Sequence, residues 1–150
     1  MSYQEKNITV SLFSHVLILG FYLVKLFQMV QSGGLVANSL FSLWAIVIVS
    51  TILVNIFASI LTNIILSIVH AIRTRSSEEE QFISDERDNL IGLKGMRISY
   101  ITFSIGVLIA MLTFVFGQPP LVMFAVIVFF SITAEILGDA AQVYLYRRGF

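Results

Sequence analysis

Four long apolar stretches dominate this 150-residue chain. They cover about residues 8–30, 40–69, 98–116 and 121–145, and each reaches roughly the 20 residues that a helix needs to cross a lipid bilayer. The second stretch is longer than this, which predicts that it is tilted or extends into the cytoplasm. Hydrophobic residues make up 57% of the chain and charged residues 12%, about half the ~25% of a soluble domain. The sequence therefore predicts an all-α, four-helix transmembrane bundle that forms one integral membrane domain, residues 1–150.

Basic residues lie almost entirely on one side of such a topology. The segments that join the first two and the last two spans, 31–39 and 117–120, contain no Lys or Arg, whereas the charged loop 70–97 and both chain ends do. By the positive-inside rule, the N-terminus, the C-terminus and this loop are predicted to be cytoplasmic. No small-residue cleavage site follows the first span, which we expect to be retained.

The charged loop contains the acidic clusters 78–80 and 85–88. After them, apolar residues alternate with Lys94 and Arg97, a pattern that predicts a short helix on the membrane surface before the third span. One interpretation is a solvated loop with weak surface ion pairs. The other is a docking surface for a cytoplasmic protein, made by the residues of the second acidic cluster, Asp85, Glu86, Arg87 and Asp88.

Two acids lie inside the fourth apolar stretch. At helical spacing, Glu135 and Asp139 share a stripe with Ser131, Gln142 and Tyr146. An acid near the middle of a bilayer costs up to ~3 kcal/mol, while one Leu or Ile returns only about 0.3–0.6 kcal/mol. We therefore expect this stripe to face protein, water or a partner rather than lipid.

The other spans carry polar residues that can meet these acids. At about 1.5 Å of rise per residue, Asn55 and Glu135 lie at similar depth, as do Asn63 and Gln142 with Asp139, and His15 lies near Asp139. The sequence therefore predicts one polar intramembrane pocket, open towards the cytoplasm. Its residues are His15, Asn55, Asn63, Glu135, Asp139 and Gln142.

This pocket has two interpretations. Intramembrane acids commonly bind ions or protons, which predicts proton- or cation-linked transport or permeation. Alternatively, the same side chains hold the helices together by hydrogen bonds. In that case the chain is a non-transporting membrane regulator, sensor or immunity-type protein that acts through its charged loop.

Several classes of function have no support in the sequence. There are no cysteines, no catalytic nucleophile motif and no glycine-rich phosphate loop, so we expect neither an enzyme nor a cofactor or metal site. A formal net charge of zero gives no reason to expect nucleic acid as a partner. The third span has a stripe of small residues, which favours a homo-oligomer, with a dimer preferred. These residues are Ser99, Thr102, Gly106, Ala110, Thr113 and Gly117.

The second half of the chain resembles a family of small bacterial four-span membrane proteins of unknown function. The resemblance begins at the D-E-R-D sequence at 85–88 and continues through Leu90–Ile91, Lys94 and Ser99–Tyr100. It extends to A-E-I-L-G at 134–138 and the terminal Y-R-R-G at 146–149. The resemblance implies a four-span topology and a bacterial origin. It also implies a regulatory or stress-linked role, because such proteins resemble ones encoded near small helix-turn-helix regulators.

Overall fold

The computed structural model describes residues 3–73 and 86–148, except the side chains of Tyr3 and of residues 58–59, 61–63 and 65–73. Four α-helices account for most of this part of the chain. They are α1 (Tyr3–Gln31), α2 (Ala37–Arg73), α3 (Glu86–Val115) and α4 (Pro120–Arg148).

Each of the four helices is long and apolar enough to cross a membrane. The prediction of an all-α chain with four such helices is therefore confirmed, and the helices indicate a multi-pass membrane protein. The acidic cluster 78–80 and Asp85 lie outside the described residues.

Glycines end α1 and α3 in the same way. Gly33 and Gly117 have φ angles of 123° and 81°, values that an L side chain rarely adopts. The N–H of the following residue then donates to the carbonyl oxygen five positions earlier, Gly34 to Met29 at 3.2 Å and Gln118 to Thr113 at 3.1 Å. Pro120 opens α4, where its missing N–H costs no helical hydrogen bond. Both turns are thus short, and we call this side of the molecule the turn end.

The helices pack in the order α2, α1, α4, α3. Helix α4 packs most extensively on α3 and also packs on α1, whereas α2 lies against α1 and touches α4 only in part. Across the described residues, α2 and α3 make no extensive contact with each other. The four helices therefore leave a groove over α4, between α2 and α3.

An apolar core fills the half of the molecule nearer the turn end. It consists of Ile18, Tyr22, Leu43, Val47, Val128 and Ile132, which are buried between α1, α2 and α4. The hydroxyl of Tyr22 donates to the carbonyl oxygen of Ala125 at 2.8 Å, so this core holds its one tyrosine without a buried unpaired oxygen.

Two sequence expectations need correction here. Helix α3 runs without a break from Glu86, so the apolar and basic residues before Ile98 are its first turns rather than a separate surface helix. The small-residue stripe of α3 is covered by α4 of the same chain: a side chain added at Gly106 would collide with Phe130. That face is therefore used within the chain and is closed to a second copy.

Candidate functional site

The face of α1 that packs on the other helices, which we call its inner stripe, is apolar on one side of His15 and polar on the other. Towards the turn end it continues with Ile18 and Tyr22, which belong to the apolar core. Towards the other end it carries Ser11 and Asn7, one and two turns away from His15. His15 itself is only 1% exposed, so its imidazole lies fully inside the helix packing.

Asp139 of α4 meets His15 directly. The Nδ1 atom of His15 is 3.0 Å from the carboxylate Oδ2 of Asp139, and the Asp139 side chain is 13% exposed. The hydroxyl of Ser11 donates to the same Oδ2 at 2.8 Å. With an N–H on Nδ1, the imidazole donates as well, so one carboxylate oxygen accepts from two helical side chains. The expected proximity of His15 and Asp139 is therefore present in the structure.

Asn55 extends this cluster to α2. Its side-chain oxygen is 3.5 Å from Oγ of Ser11, the outer limit of a hydrogen bond. Because the Ser11 hydroxyl has one proton, and Asp139 receives it, the contact is better satisfied with the Asn55 amide N–H₂ turned towards Ser11. Ser11 was absent from the residues that sequence reasoning chose, although its spacing of four from His15 placed it on the same face.

Two buried polar atoms of α1 have no hydrogen-bond partner among the described residues. They are Nε2 of His15 and the side-chain oxygen of Asn7. Nδ1 of His15 is held by Asp139, so Nε2 is the ring atom without a partner among the described residues. Unpaired buried polar atoms are uncommon in native proteins, and a bound water molecule is one common partner for them.

Glu135 lies outside this cluster. It is one turn from Asp139 along α4, yet its side chain is exposed on the surface of the four helices. Fifteen residues separate it from Pro120 and thirteen from Arg148, so it lies near the middle of the helix. Against acyl chains, an acid at that depth costs about 2.5–3.5 kcal/mol. The structure therefore brings Asp139 to the interior and leaves Glu135 facing out.

The remaining predicted pocket residues also do not join the cluster. The side chain of Gln142 lies against Gly95 of α3, where an added Cβ would meet it. The side chain of Asn63 lies outside the described residues. In the structure the site is thus His15, Asp139, Ser11 and Asn55, with one imidazole and one carboxylate. Over the described ranges, no three side chains of the kinds that bind metals converge.

A second polar cluster joins three helices at the end opposite the turns, which we call the charged end. The hydroxyl of Tyr146 donates to Asp88 at 2.8 Å and lies 3.1 Å from the side-chain oxygen of Gln4. Arg147 donates from Nε to Glu5 at 3.4 Å, and the Glu5 side chain is only 9% exposed. Sequence reasoning missed these contacts, because they join residues far apart in the chain.

The second acidic cluster of the charged loop is therefore divided by the fold. Asp88 is bound to Tyr146 within the chain, whereas Glu86 and Arg87 have exposed side chains at the start of α3. The guanidinium of Arg87 lies over the ring of Tyr146, 6.0 Å from its centroid. A cytoplasmic partner would thus meet Glu86 and Arg87 rather than Asp88.

Comparison with known proteins does not extend these observations. A scan against protein-family models, a search of curated proteins and a search of solved structures found no match to this chain.

Proposed function

We propose that this chain is a multi-pass protein of a bacterial inner membrane that carries out proton-linked transport or permeation, with the His15–Asp139 pair as its proton-binding site. The observation that carries the proposal is the contact of 3.0 Å between Nδ1 of His15 and Oδ2 of Asp139, buried between membrane-length helices. Intramembrane acids paired with histidine are typical of proton relays.

The chemistry of the pair is a reversible proton transfer. A proton taken from water forms a bond with the lone pair of Nε2 and converts the imidazole to an imidazolium. The carboxylate of Asp139 neutralises the new positive charge through Nδ1, and Ser11 keeps the carboxylate in place with its own hydrogen bond. Release of the proton to water returns the neutral ring. Asn55, which reaches Ser11 from α2, links this exchange to a third helix.

The distribution of charge supports the orientation in this proposal. Lys6, Arg147 and Arg148 lie at the charged end, as do the first turns of α3, whereas the two turns at the opposite end contain no Lys or Arg. By the positive-inside rule the charged end faces the cytoplasm, with both chain termini.

Asp139→Asn is expected to abolish proton movement. The amide keeps the size of the carboxylate but cannot neutralise an imidazolium, so the protonated state of His15 loses its counter-charge. In proteoliposomes with a pH-sensitive dye and an imposed potassium diffusion potential, the wild-type protein should acidify the lumen faster than empty vesicles. The rate for Asp139→Asn should fall at least about tenfold, the effect of losing ~1.4 kcal/mol or more from one charge-assisted hydrogen bond.

Glu86→Gln is the matched control, because it makes the same change of charge at an exposed residue outside the pair. We expect it to leave the rate unchanged. Wild-type vesicles no faster than empty ones, or Asp139→Asn as fast as the wild type, would rule out the proposal.

A further inference from the structure

The stripe of polar residues on α1 leads from the pair to only one side of the molecule. Asn7, Ser11 and His15 are spaced by four residues, so about 6 Å separates each from the next along the helix. Asn7 is two residues from the buried Glu5, which pairs with Arg147 at the charged end. Polar side chains therefore line an unbroken path of about 12 Å from Asn7 to His15.

The two unpaired atoms lie at the two ends of this path. Nε2 of His15 and the side-chain oxygen of Asn7 are buried and have no protein partner over the described residues. Water usually satisfies such atoms in protein interiors, with two to four hydrogen bonds per molecule. Between them, Ser11 holds Asp139 and contacts Asn55, so each step of the path has a polar group within reach of a water molecule.

On the other side of His15 the inner stripe is closed. The next inward residues are Ile18 and Tyr22, packed on Val47, Val128 and Ile132. The only hydroxyl in this core, that of Tyr22, is bound to the carbonyl oxygen of Ala125. Among the six residues of this core, Tyr22 is the only one with a polar side-chain atom, so the core itself does not continue a chain of hydrogen bonds.

We propose that in this conformation protons reach His15 only from the charged end, along water molecules held by Asn7 and Ser11, because the apolar core seals His15 from the turn end. Transport then requires a second conformation, in which this core opens towards the turn end. The proposal deepens the proposed function, because it takes the His15–Asp139 pair as the proton site. The charged groups facing His15 are Asp139 on α4 and, further along the path, Glu5 with Arg147; α2 contributes the neutral amide of Asn55.

The test follows the protonation of His15 while the pH is changed on one side of the membrane at a time. The chain has two histidines, so His70→Gln leaves His15 as the only source of a ¹⁵N-histidine signal. In vesicles with one orientation of the protein, we expect the imidazole signal to follow the pH at the charged end and to ignore the pH at the turn end. Asn7→Leu should slow proton exchange at His15 at least about tenfold, since it removes the first polar group of the path.

Asn38→Leu, the same substitution at an exposed residue of the turn end, is the matched control and should leave the exchange unchanged. A signal that follows the turn end or both sides, a signal that never titrates, or normal exchange in Asn7→Leu would overturn the path. A failure of transport gives a different result. If the imidazole signal of His15 follows the pH at the charged end but no protons cross the vesicle membrane, the path stands and only the transport function is removed.

Glu135 carries a second and independent inference. The stripe of α4 that holds it begins at Phe124, whose ring lies 4.7 Å from that of Phe41 on α2, and ends at Gln142, which lies against Gly95 on α3. Glu135 therefore points into the groove between α2 and α3. Over the described residues it makes no hydrogen bond or ion pair.

The same groove has an exposed amide. Asn55 is eleven residues from Trp44, a spacing that places both on one face of α2, and the ring of Trp44 faces Phe124 of α4. An exposed carboxyl on α4, at the floor of the groove, and an exposed amide on its α2 side thus belong to the same groove. A carboxylate accepts hydrogen bonds and an amide N–H₂ donates them, so two such surfaces related by a twofold axis are complementary.

We propose that a second copy of this chain covers the groove in a twofold dimer, with Glu135 of each copy accepting a hydrogen bond from Asn55 of the other. This interface uses α2 and α4, not the small-residue face of α3, which α4 already covers. This dimer shields Glu135 from lipid, and two copies of the chain are sufficient to form it.

Dimerisation can be measured by energy transfer between labelled copies as the protein is diluted in lipid. The chain has no cysteine, so Glu86→Cys provides one exposed labelling site. In this background, Glu135→Leu and Asn55→Leu should each raise the dissociation constant of the dimer at least about tenfold. Leu137→Ala, at an exposed position on another face of α4, should not change it. A labelled protein that stays monomeric at high density, or an unchanged dimer in Glu135→Leu, would overturn the interface.

Discussion

Gly106→Ala is expected to separate α3 from α4 and to lower the stability of the protein more than the same substitution at Gly92 or Gly138. A Cβ at this position would fall on Cβ and Cγ of Phe130, closer than real carbon atoms approach. Cβ of Phe130 is fixed to the backbone of α4, so no change of rotamer can clear the space. The helices must move apart, and we expect a cost at the upper end of the ~1–3 kcal/mol typical of overpacked sites.

The same helix supplies a matched control. Gly92→Ala adds the same methyl group to α3 at a position with no neighbouring atom within 4 Å. There the substitution should be neutral or should stabilise the helix by up to ~1 kcal/mol, because alanine favours helix more than glycine does. Thermal unfolding in detergent, followed by circular dichroism, measures both variants. Equal stability of Gly106→Ala and Gly92→Ala would show that the close approach of α3 and α4 is incorrect.

Gly138→Ala is expected to destabilise the contact between α3 and α4 for the same reason, but to a smaller extent. A Cβ at Gly138 would first meet the hydroxyl of Ser99, and then the backbone oxygen of Gly95 at 3.2 Å. The hydroxyl can be removed by Ser99→Ala, whereas the backbone cannot. Gly138→Ala should therefore destabilise the pair of helices, and Ser99→Ala should restore part of that loss. The order of severity follows from what each new methyl group meets.

The sequence predicted the four helices because membrane spans depend on local properties. Length, apolar composition and the glycines that end α1 and α3 are each visible within a few residues of one another. The continuous α3 was missed for a related reason. A helix that crosses the membrane surface keeps one periodicity throughout, so the pattern around Lys94 fits a surface helix and an extended span equally well.

Which acid of α4 lies inside the site depends on the rotation of α4 about its own axis, and no local sequence pattern gives this rotation. Glu135 and Asp139 differ by only about 40° around α4, which places them on one stripe by sequence. The rotation of α4 is set by its contact with α3, through Gly138 against Ser99 and Gln142 against Gly95. That contact turns Asp139 towards α1 and leaves Glu135 over the groove. The partnership of His15 with Asp139 could be predicted from depth, whereas the position of Glu135 required the packing of the third helix.

Asp139→Leu should destabilise the protein strongly, and His15→Leu in the same chain should restore most of that stability. Without its carboxylate, Nδ1 of His15 keeps only the long contact of 3.4 Å to the hydroxyl of Ser11, and Nε2 is already unpaired among the described residues. Leaving a buried donor unsatisfied costs about 1–3 kcal/mol, whereas replacing both partners with apolar groups can be nearly neutral. Ser11 can then donate to its own helix, as Ser14 does to the carbonyl oxygen of Val10 at 2.9 Å.

The four proteins of this cycle are the wild type, the two single variants and the double variant, each measured by the free energy of unfolding in the same detergent. If the pair acts as a unit, the loss in the double variant is smaller than the sum of the two single losses by ~1 kcal/mol or more. Purely additive losses would mean that His15 and Asp139 do not interact. A stable double variant that no longer moves protons would separate the two roles of the pair. It would show that the fold does not need these two side chains, whereas proton movement does.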